Sequence, residues 1–315
     1  MLLVTIDEFS DQQFRRLIDL SRPRLVHLER DLKNSRLDLN QTEIWITYGF
    51  DVTKENLDRM PGLKWIQVFQ AGIEHIPLEE LNRRGIRLTN VKGIHGIPMS
   101  EYVMSMVLYV ARDLARFIRE QKLHAWNRED LVDEAFGKTM AVFGAGTIGT
   151  MVAEKAKMFD MRVIGVNTSG ESRSPFDEMY TLDDKLEVLR QSDFIVLLLP
   201  VTEATYHCIG REELKQMKPG AYLINTGRGA LVDTEALVSE LRAGKIRGVA
   251  LDVFEEDPLP KDHPLWDMEN VFITPHLSAK TVRYLDRCID KFEPNFECFE
   301  NGDPMVNQVD VAKGY

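Results

Sequence analysis

Between Met140 and Gly149 the chain reads M-A-V-F-G-A-G-T-I-G, an apolar run that enters a G-x-G-x-x-G turn and then a helix-forming stretch at 150–159. That order suits a pyrophosphate. Gly144 permits the tight turn, Gly146 lets backbone N–H groups approach the anion, and Gly149 allows close packing of helix on strand. A dinucleotide is therefore expected on Gly144, Ala145, Gly146, Thr147, Ile148 and Gly149. Cofactor type is usually set at the end of the following strand, where a carboxylate binds the NAD ribose and repels a 2′-phosphate. Here that strand ends in Asn167, Thr168 and Ser169, which are neutral, and Arg173 follows within reach of a phosphate. NADP(H) is expected in preference to NAD(H).

Three later segments each place a chemically capable residue just after a predicted strand. Arg228 lies in N-T-G-R-G-A-L-V-D, Asp252 and Asp257 in A-L-D-V-F-E-E-D-P-L-P, and His276 in F-I-T-P-H-L-S. Ligands of open parallel sheets bind outside the carboxyl ends of the strands, so all three segments are expected to converge on the crevice of the glycine turn. Gly227 and Gly229 flank Arg228 and are read as exposing backbone to a ligand. His207 and His263, outside these motifs, are read as surface or packing residues.

The elements that must hold these groups come in two sets. Short β-type runs at 2–6, 25–28, 44–47, 65–69 and 86–88 alternate with helix-compatible stretches at 11–20 and 78–84. A long helix is predicted over 100–124, capped by Ser100, with Val103, Met106, Val107, Val110, Leu114, Phe117 and Ile118 on one face. Nearly continuous apolar runs follow at 140–143, 162–166, 194–199, 222–225 and 248–253, as in sheets covered on both faces. A helical stretch at 281–301 and a polar tail close the chain. The predicted fold is α/β: two doubly wound parallel-sheet domains joined by the long helix, one over 1–97 plus 283–315 and one over 98–282.

Composition limits what such a protein does. The 315 residues are 44% apolar and carry a formal charge of −11, which repels nucleic acid and anionic membranes. A small anionic substrate would need a local positive group. Three cysteines, none in a CxxC pair, fit reduced thiols in the cytoplasm better than a disulfide frame or a metal site. The opening residues lack a basic start and meet Asp7 and Glu8, so they read as a strand and not a signal peptide. No apolar run reaches the roughly 18 residues that a membrane span needs.

Across its whole length the sequence resembles the D-isomer-specific 2-hydroxyacid dehydrogenases, through the glycine turn, N-x-G-R-G-x-x-V-D, L-D-V-F-x-x-(acid)-P-L-P and T-P-H. The closing residues 307–315 look like the tail of the glyoxylate and hydroxypyruvate reductase branch. The resemblance implies a flavodoxin-like substrate domain, a Rossmann dinucleotide domain and a cytoplasmic homodimer, with 100–124 as a contact element. It implies that His276 delivers a proton to the carbonyl oxygen of a small 2-oxo acid, such as glyoxylate or hydroxypyruvate, opposite the nicotinamide. Arg228 would fork onto the substrate's carboxylate and carbonyl oxygens, supplying the missing positive group. Asp257, where most relatives have Glu, would orient the imidazole; neighbouring Glu256 would point away. Asp252 would hold the nicotinamide carboxamide, with Leu199, Pro200 and Thr226 also on the cofactor. In the first domain the loop Ala71, Gly72, Ile73 would receive the substrate carboxylate on backbone N–H groups, and Trp45, Tyr48 and Met99 would wall the pocket. A phosphoglycerate dehydrogenase, or a dinucleotide-sensing corepressor on the same fold, is the alternative.

Overall fold

Local signals start and stop the helices. Ser10 accepts from Gln13 N–H and the Gln13 side chain answers it, a capping box that opens α1 (Asp11–Leu20). Gly85, in the left-handed region at φ 67°, ends α3 (Leu78–Arg84) where a side chain would be strained. The structure, a computed structural model, describes residues 1–73 and 75–311. Glu74 and residues 312–315, the last part of the reductase-like tail, lie outside the described residues. The chain divides into one unit made of Met1–Ile94 and the chain from Val282 onward, and a second unit, His95–Thr281.

The first unit contains β1 (Leu2–Val4), α1, β2 (Val26–Leu28), β3 (Ile44–Thr47), α2 (Lys54–Asp58), β4 (Trp65–Val68), α3 and β5 (Arg87–Thr89). Its five strands are parallel in the order β2-β1-β3-β4-β5, the flavodoxin-like arrangement. Alternate residues feed two cores. Leu2, Val4, Ile44, Ile46 and Trp65 face one, while Leu3, Trp45, Ile66 and Val68 face the other. Trp45 is therefore not a pocket wall as the sequence suggested: it is fully buried and its indole N–H donates to Thr5 Oγ1 at 3.1 Å.

The second unit contains α4 (Gly96–Ala111), α5 (Leu114–Lys122), β6 (Thr139–Phe143), α6 (Thr147–Lys157), β7 (Arg162–Val166), β8 (Glu178–Tyr180), α7 (Lys185–Gln191), β9 (Phe194–Leu197), α8 (Arg211–Gln216), β10 (Tyr222–Asn225), α9 (Thr234–Arg242), β11 (Gly248–Leu251) and β12 (Val271–Ile273). All seven strands are parallel in the order β12-β11-β10-β9-β6-β7-β8, a Rossmann sheet extended by one strand. The strands again alternate between two cores, with Ala141, Phe143, Ile195, Leu197 and Leu223 on one face and Met140, Val142, Phe194, Val196 and Ile224 on the other. Double coverage explains why these strands read as unbroken apolar runs.

Two features of the predicted linking helix change. It is two helices, broken where Asp113 takes φ 50°, a conformation that Asp tolerates better than most residues. It also begins four residues before Ser100, whose hydroxyl donates to Ile97 O at 2.9 Å inside the first turns. Pro98 sits in that first turn, where its missing N–H has no helical partner to lose. The short edge strand β8 was not anticipated, because its three residues lack an apolar signature.

The chain returns to the first unit in α10 (Tyr284–Asn301), which lays Phe292 and Phe299 on the Trp65 ring at centroid distances of 5.3 and 5.2 Å. At the same amino ends of the strands, Glu43 gathers Lys64, at 2.6 Å, and Arg24, which also binds Glu300 of α10 at 2.8 Å. The Lys64 and then the Arg24 hydrogen bonds draw the Glu43 carboxyl down to about 2. A depressed folded-state value means that Glu43 stabilises the fold above its ordinary range, and that this contribution disappears as pH falls toward the folded value. Glu43→Gln is expected to lower stability at neutral pH by no more than about 1 kcal/mol, as for partly exposed pairs. In urea titrations followed by tryptophan fluorescence, the gap between wild type and variant should shrink as pH falls from about 5 to about 3.

Candidate active site

Register places the site before any side chain does. Val166, Phe143, Leu197, Asn225, Leu251 and Ile273 are successive partners across the sheet of the second unit. Each ends its strand. The glycine turn and the segments that follow β7, β9, β10, β11 and β12 therefore leave the sheet from one line, at the carboxyl edge where such sheets bind ligands.

The glycine turn fits a dinucleotide on three observations. Gly144 has φ 107°, and a Cβ on it would stand 2.9 Å from Leu198 C and O. A Cβ on Gly149 would be 2.3 Å from Gly144 O, so only glycine lets α6 approach the turn so closely. By contrast, a Cβ on Gly146 would meet nothing within 4 Å, which leaves its outer face open. The start of α6 carries no side-chain cap and no acidic residue in its first turn, so the N–H groups around Thr147 and Ile148 remain available to an anion. Past β10, two strands along the same edge, the hydroxyl of Thr226 is buried without a hydrogen-bond partner among the described residues. Leu199 is partly buried and Pro200 exposed just past β9.

Past β7, the Asn167 side-chain oxygen Oδ1 accepts from Ser169 N–H at 3.0 Å and Gly170 N–H at 2.7 Å, folding 167–170 into a turn that leaves Thr168 and Ser169 exposed. No carboxylate side chain occupies that turn. Arg173 comes back to the glycine turn, where its Nη1 donates to Ala145 O at 3.0 Å. A guanidinium thus lies against the loop that would carry the diphosphate.

Arg228 leaves β10 on a turn shaped by Asn225. The buried Asn225 amide donates to Arg228 O at 2.9 Å and accepts from Gly227 N–H at 3.1 Å. Arg228 is exposed, and its Nη1 donates to Gly227 O at 2.9 Å. Gly229 does not open toward a ligand as its flanking position suggested. A Cβ there would lie 1.9 Å from Phe254 C, so this glycine lets the Arg228 turn press against the segment after β11.

That segment carries three consecutive acids with different fates. Glu255 faces His207, Glu256 is exposed, and Asp257 Oδ2 stands 3.1 Å from His276 Nδ1. Both members of the last pair are about half exposed, His276 at 58% and Asp257 at 49% of their side-chain surface. His276 itself sits at φ 56°. Its strained turn is held by Asp252, whose fully buried carboxylate accepts from Thr274 Oγ1 at 2.5 Å, Leu277 N–H at 2.8 Å and Ser278 N–H at 2.9 Å, while Asp252 O accepts from His276 N–H at 3.0 Å. Three of roughly four acceptor positions are thus taken by the turn rather than left for a carboxamide. Tyr102 of α4 shares the Thr274 hydroxyl at 2.8 Å and extends the network to the helix behind the sheet.

In the first unit, Ala71, Gly72 and Ile73 follow β4 in the loop of the sequence reading. Ala71 O accepts from Asn90 Nδ2 at 3.1 Å, and Tyr284 of α10 donates to Phe69 O at 2.9 Å just before it. Tyr48 donates to Glu8 at 2.5 Å. Burial pushes the Tyr48 hydroxyl far above its ordinary range, and Glu8 adds to the shift. Met99 is buried in α4 of the second unit. His263 caps the short turn at Pro264–Asp267, its Nδ1 accepting from Leu265 N–H at 3.3 Å. Sequence reasoning missed Asn225, Thr274, Tyr102 and the His207–Glu255 pair. For the first two a signal existed, since each is a polar residue where a predicted apolar strand meets a motif.

The comparisons with known proteins agree with this geometry. Residues 104–278 match the family described as D-isomer specific 2-hydroxyacid dehydrogenase, NAD binding domain. Over 308 residues the chain is 37% identical to the glyoxylate reductase of Thermofilum pendens, covering 92% of this chain and 89% of that one. It is similar in structure to a D-isomer specific 2-hydroxyacid dehydrogenase family protein from Aeromonas salmonicida, with 33% identity and a TM-score of 0.88 over 98% of this chain and 99% of that one. A D-isomer specific 2-hydroxyacid dehydrogenase from Xanthobacter autotrophicus, solved with NADPH and MES, is 26% identical with a TM-score of 0.80, covering 100% of this chain and 99% of that one. With the glycine turn after β6 and the arginine, acid and imidazole after β10, β11 and β12 at the same edge of the sheet, the chain belongs to the D-isomer-specific 2-hydroxyacid dehydrogenases, NAD(P)-dependent oxidoreductases that act on the CH–OH group of 2-hydroxy acids.

Proposed function

We propose that this dehydrogenase reduces a small 2-oxo acid, with glyoxylate and hydroxypyruvate as the first candidates, that it prefers NADP(H), and that Arg228, Asp257 and His276 carry the reaction. The observation that supports these roles most is the 3.1 Å pairing of His276 Nδ1 with Asp257, made beside the Arg228 turn at the carboxyl edge of the sheet. Reduction of a ketone needs a hydride at carbon and a proton at oxygen. Bound NADPH supplies the hydride. With Nδ1–H donated to Asp257, the imidazole has Nε2 left to give its proton to the carbonyl oxygen. Arg228 presents two parallel N–H donors to the substrate's carboxylate and carbonyl oxygens, orienting and polarising the bond to be reduced. Asp252 acts one step behind by fixing the turn that bears His276. Ala71, Gly72 and Ile73 are assigned to the substrate carboxylate on their resemblance to the family loop, which makes the first unit the substrate domain and the second the dinucleotide domain.

Gly144, Ala145, Gly146, Thr147, Ile148 and Gly149 would cradle the diphosphate, with Leu199, Pro200 and Thr226 along the cofactor. The NADP(H) preference is supported by the neutral turn at Asn167, Thr168 and Ser169 and by Arg173 against Ala145. A homodimer is supported by the apolar side chains that the second unit leaves exposed on and after α5, among them Leu123, Trp126, Leu131 and Phe136. The net charge of −11 favours no nucleic acid or membrane partner, and no described helix is long and apolar enough to cross a membrane.

Loss of NADPH absorbance with a panel of 2-oxo acids tests the reading; no turnover with glyoxylate, hydroxypyruvate or any other member would refute it. Within the panel, Asp257→Asn is expected to lower kcat by about tenfold or more through loss of an orienting partner, while Glu256→Gln stays within about twofold of wild type. The reverse ranking would move the catalytic acid to Glu256. Arg173→Ala should raise KM for NADPH by about tenfold, the loss of one charge-assisted contact, and leave KM for NADH nearly unchanged. Equal effects on the two cofactors would remove Arg173 from phosphate recognition.

A further inference from the structure

The carboxyl edge of the second unit holds a second acid–imidazole pair that the reaction does not use. His207 Nε2 lies 2.6 Å from Glu255 Oε1, with both side chains 31% exposed, and the His207 ring stacks on Tyr206 at a centroid distance of 4.1 Å. The other Glu255 oxygen accepts from Thr234 N–H at 3.1 Å. Burial pushes the Glu255 carboxyl up, but the bonds from Thr234 and His207 outweigh it and hold the group below the usual carboxylate range, so it is an anion at neutral pH.

Three chain segments meet at this carboxylate. His207 belongs to the stretch after β9, Thr234 opens α9 at the end of the Arg228 turn, and Glu255 lies two residues before Asp257. The first two segments are already joined by backbone, since His207 N–H donates to Ala230 O at 2.8 Å, Ile209 N–H to Leu231 O at 3.0 Å and Asp233 N–H to Ile209 O at 3.1 Å. The third touches them by packing, through Gly229 on Phe254, which sets a distance of approach but does not prevent sliding. Glu255 supplies a directional bond to each of the other two. A partly exposed acid–imidazole contact of this kind adds little to stability, so its value lies in position.

We propose that Glu255, braced by His207 and the Thr234 amide, is a positioning residue that fixes the 254–257 segment against the Arg228 turn and thereby keeps Asp257 on His276. The inference rests on the roles proposed above for Asp257 and His276. Displacement of about 1 Å at a reacting group lowers rates by as much as 10²-fold, so a slack 254–257 segment is felt in kcat before it is felt in folding.

The test is steady-state reduction of glyoxylate or hydroxypyruvate, whichever turns over faster with NADPH, by Glu255→Ala, Glu255→Gln, Asp257→Ala, the Glu255→Ala/Asp257→Ala double variant and His276→Gln. Glu255→Ala is expected to lower kcat by about tenfold while KM for the acid changes by less than about twofold. Glu255→Gln keeps an acceptor for Thr234 and a partner for His207 and should recover most of that loss. Because Glu255 acts through Asp257, Glu255→Ala should lower kcat by less than about twofold further when Asp257 is already alanine. Unchanged kcat in Glu255→Ala, or its full effect repeated in the Asp257→Ala background, overturns the proposal. If Asp257→Ala and His276→Gln are themselves as active as wild type, the catalytic roles fall and this inference with them. If those two are crippled and Glu255→Ala is not, this inference alone falls.

Discussion

A carboxylate without access to water must be surrounded by donors, because the desolvation of an unpaired charge is prohibitive. Asp252 meets that requirement with the hydroxyl of Thr274 and the amides of Leu277 and Ser278. The observed path of 274–278 brings those three donors to one point, so satisfying Asp252 ties down the turn. That path includes the positive φ of His276, a conformation that costs a non-glycine residue on the order of 1–3 kcal/mol and persists only where the surroundings over-determine it. The imidazole is aimed by a residue that the substrate need never touch.

The parallel sheet extends the same logic sideways. Because the ends of β6, β7, β9, β10, β11 and β12 lie in one row, the following residues start level, and small differences in how each turn is tied decide which side chains meet. Asn225 ties the Arg228 turn to itself, Gly229 brings it against Phe254, and Asp252 ties β11 to the turn after β12. The glycine turn is shaped by absence instead: missing side chains at Gly144 and Gly149 admit the backbone of Leu198 and of the turn itself.

These devices differ in how far they were legible in sequence. The glycine turn was readable because each glycine answers a steric demand at a fixed spacing, and the strands of the second unit because burial on both faces leaves unbroken apolar runs. Arg228, Asp257 and His276 were readable as motifs, and the structure adds that Asp257, not Glu256, faces the imidazole. The His207–Glu255 pair was not readable, since its partners lie 48 residues apart and nothing in the local pattern of either announces the other. Trp45 was misread because a strand in a doubly covered sheet has no solvent side, so position near its end does not imply a pocket. The break at Asp113 escaped because the apolar period continues across it while the backbone does not.

The placement of α10 has a consequence for how the polypeptide comes to be made. Trp65 is synthesised well before Phe292 and Phe299, the rings that cover it, and the whole second unit emerges from the ribosome between them. Domains tend to fold as units in the order in which they appear. The intervening unit has all its strands in one uninterrupted stretch and can close on itself early, whereas the nascent amino-terminal sheet must wait with an uncovered aromatic face until α10 has been made. During that interval the Trp65 face is apolar surface open to other chains, the kind of exposure that makes folding intermediates prone to aggregate.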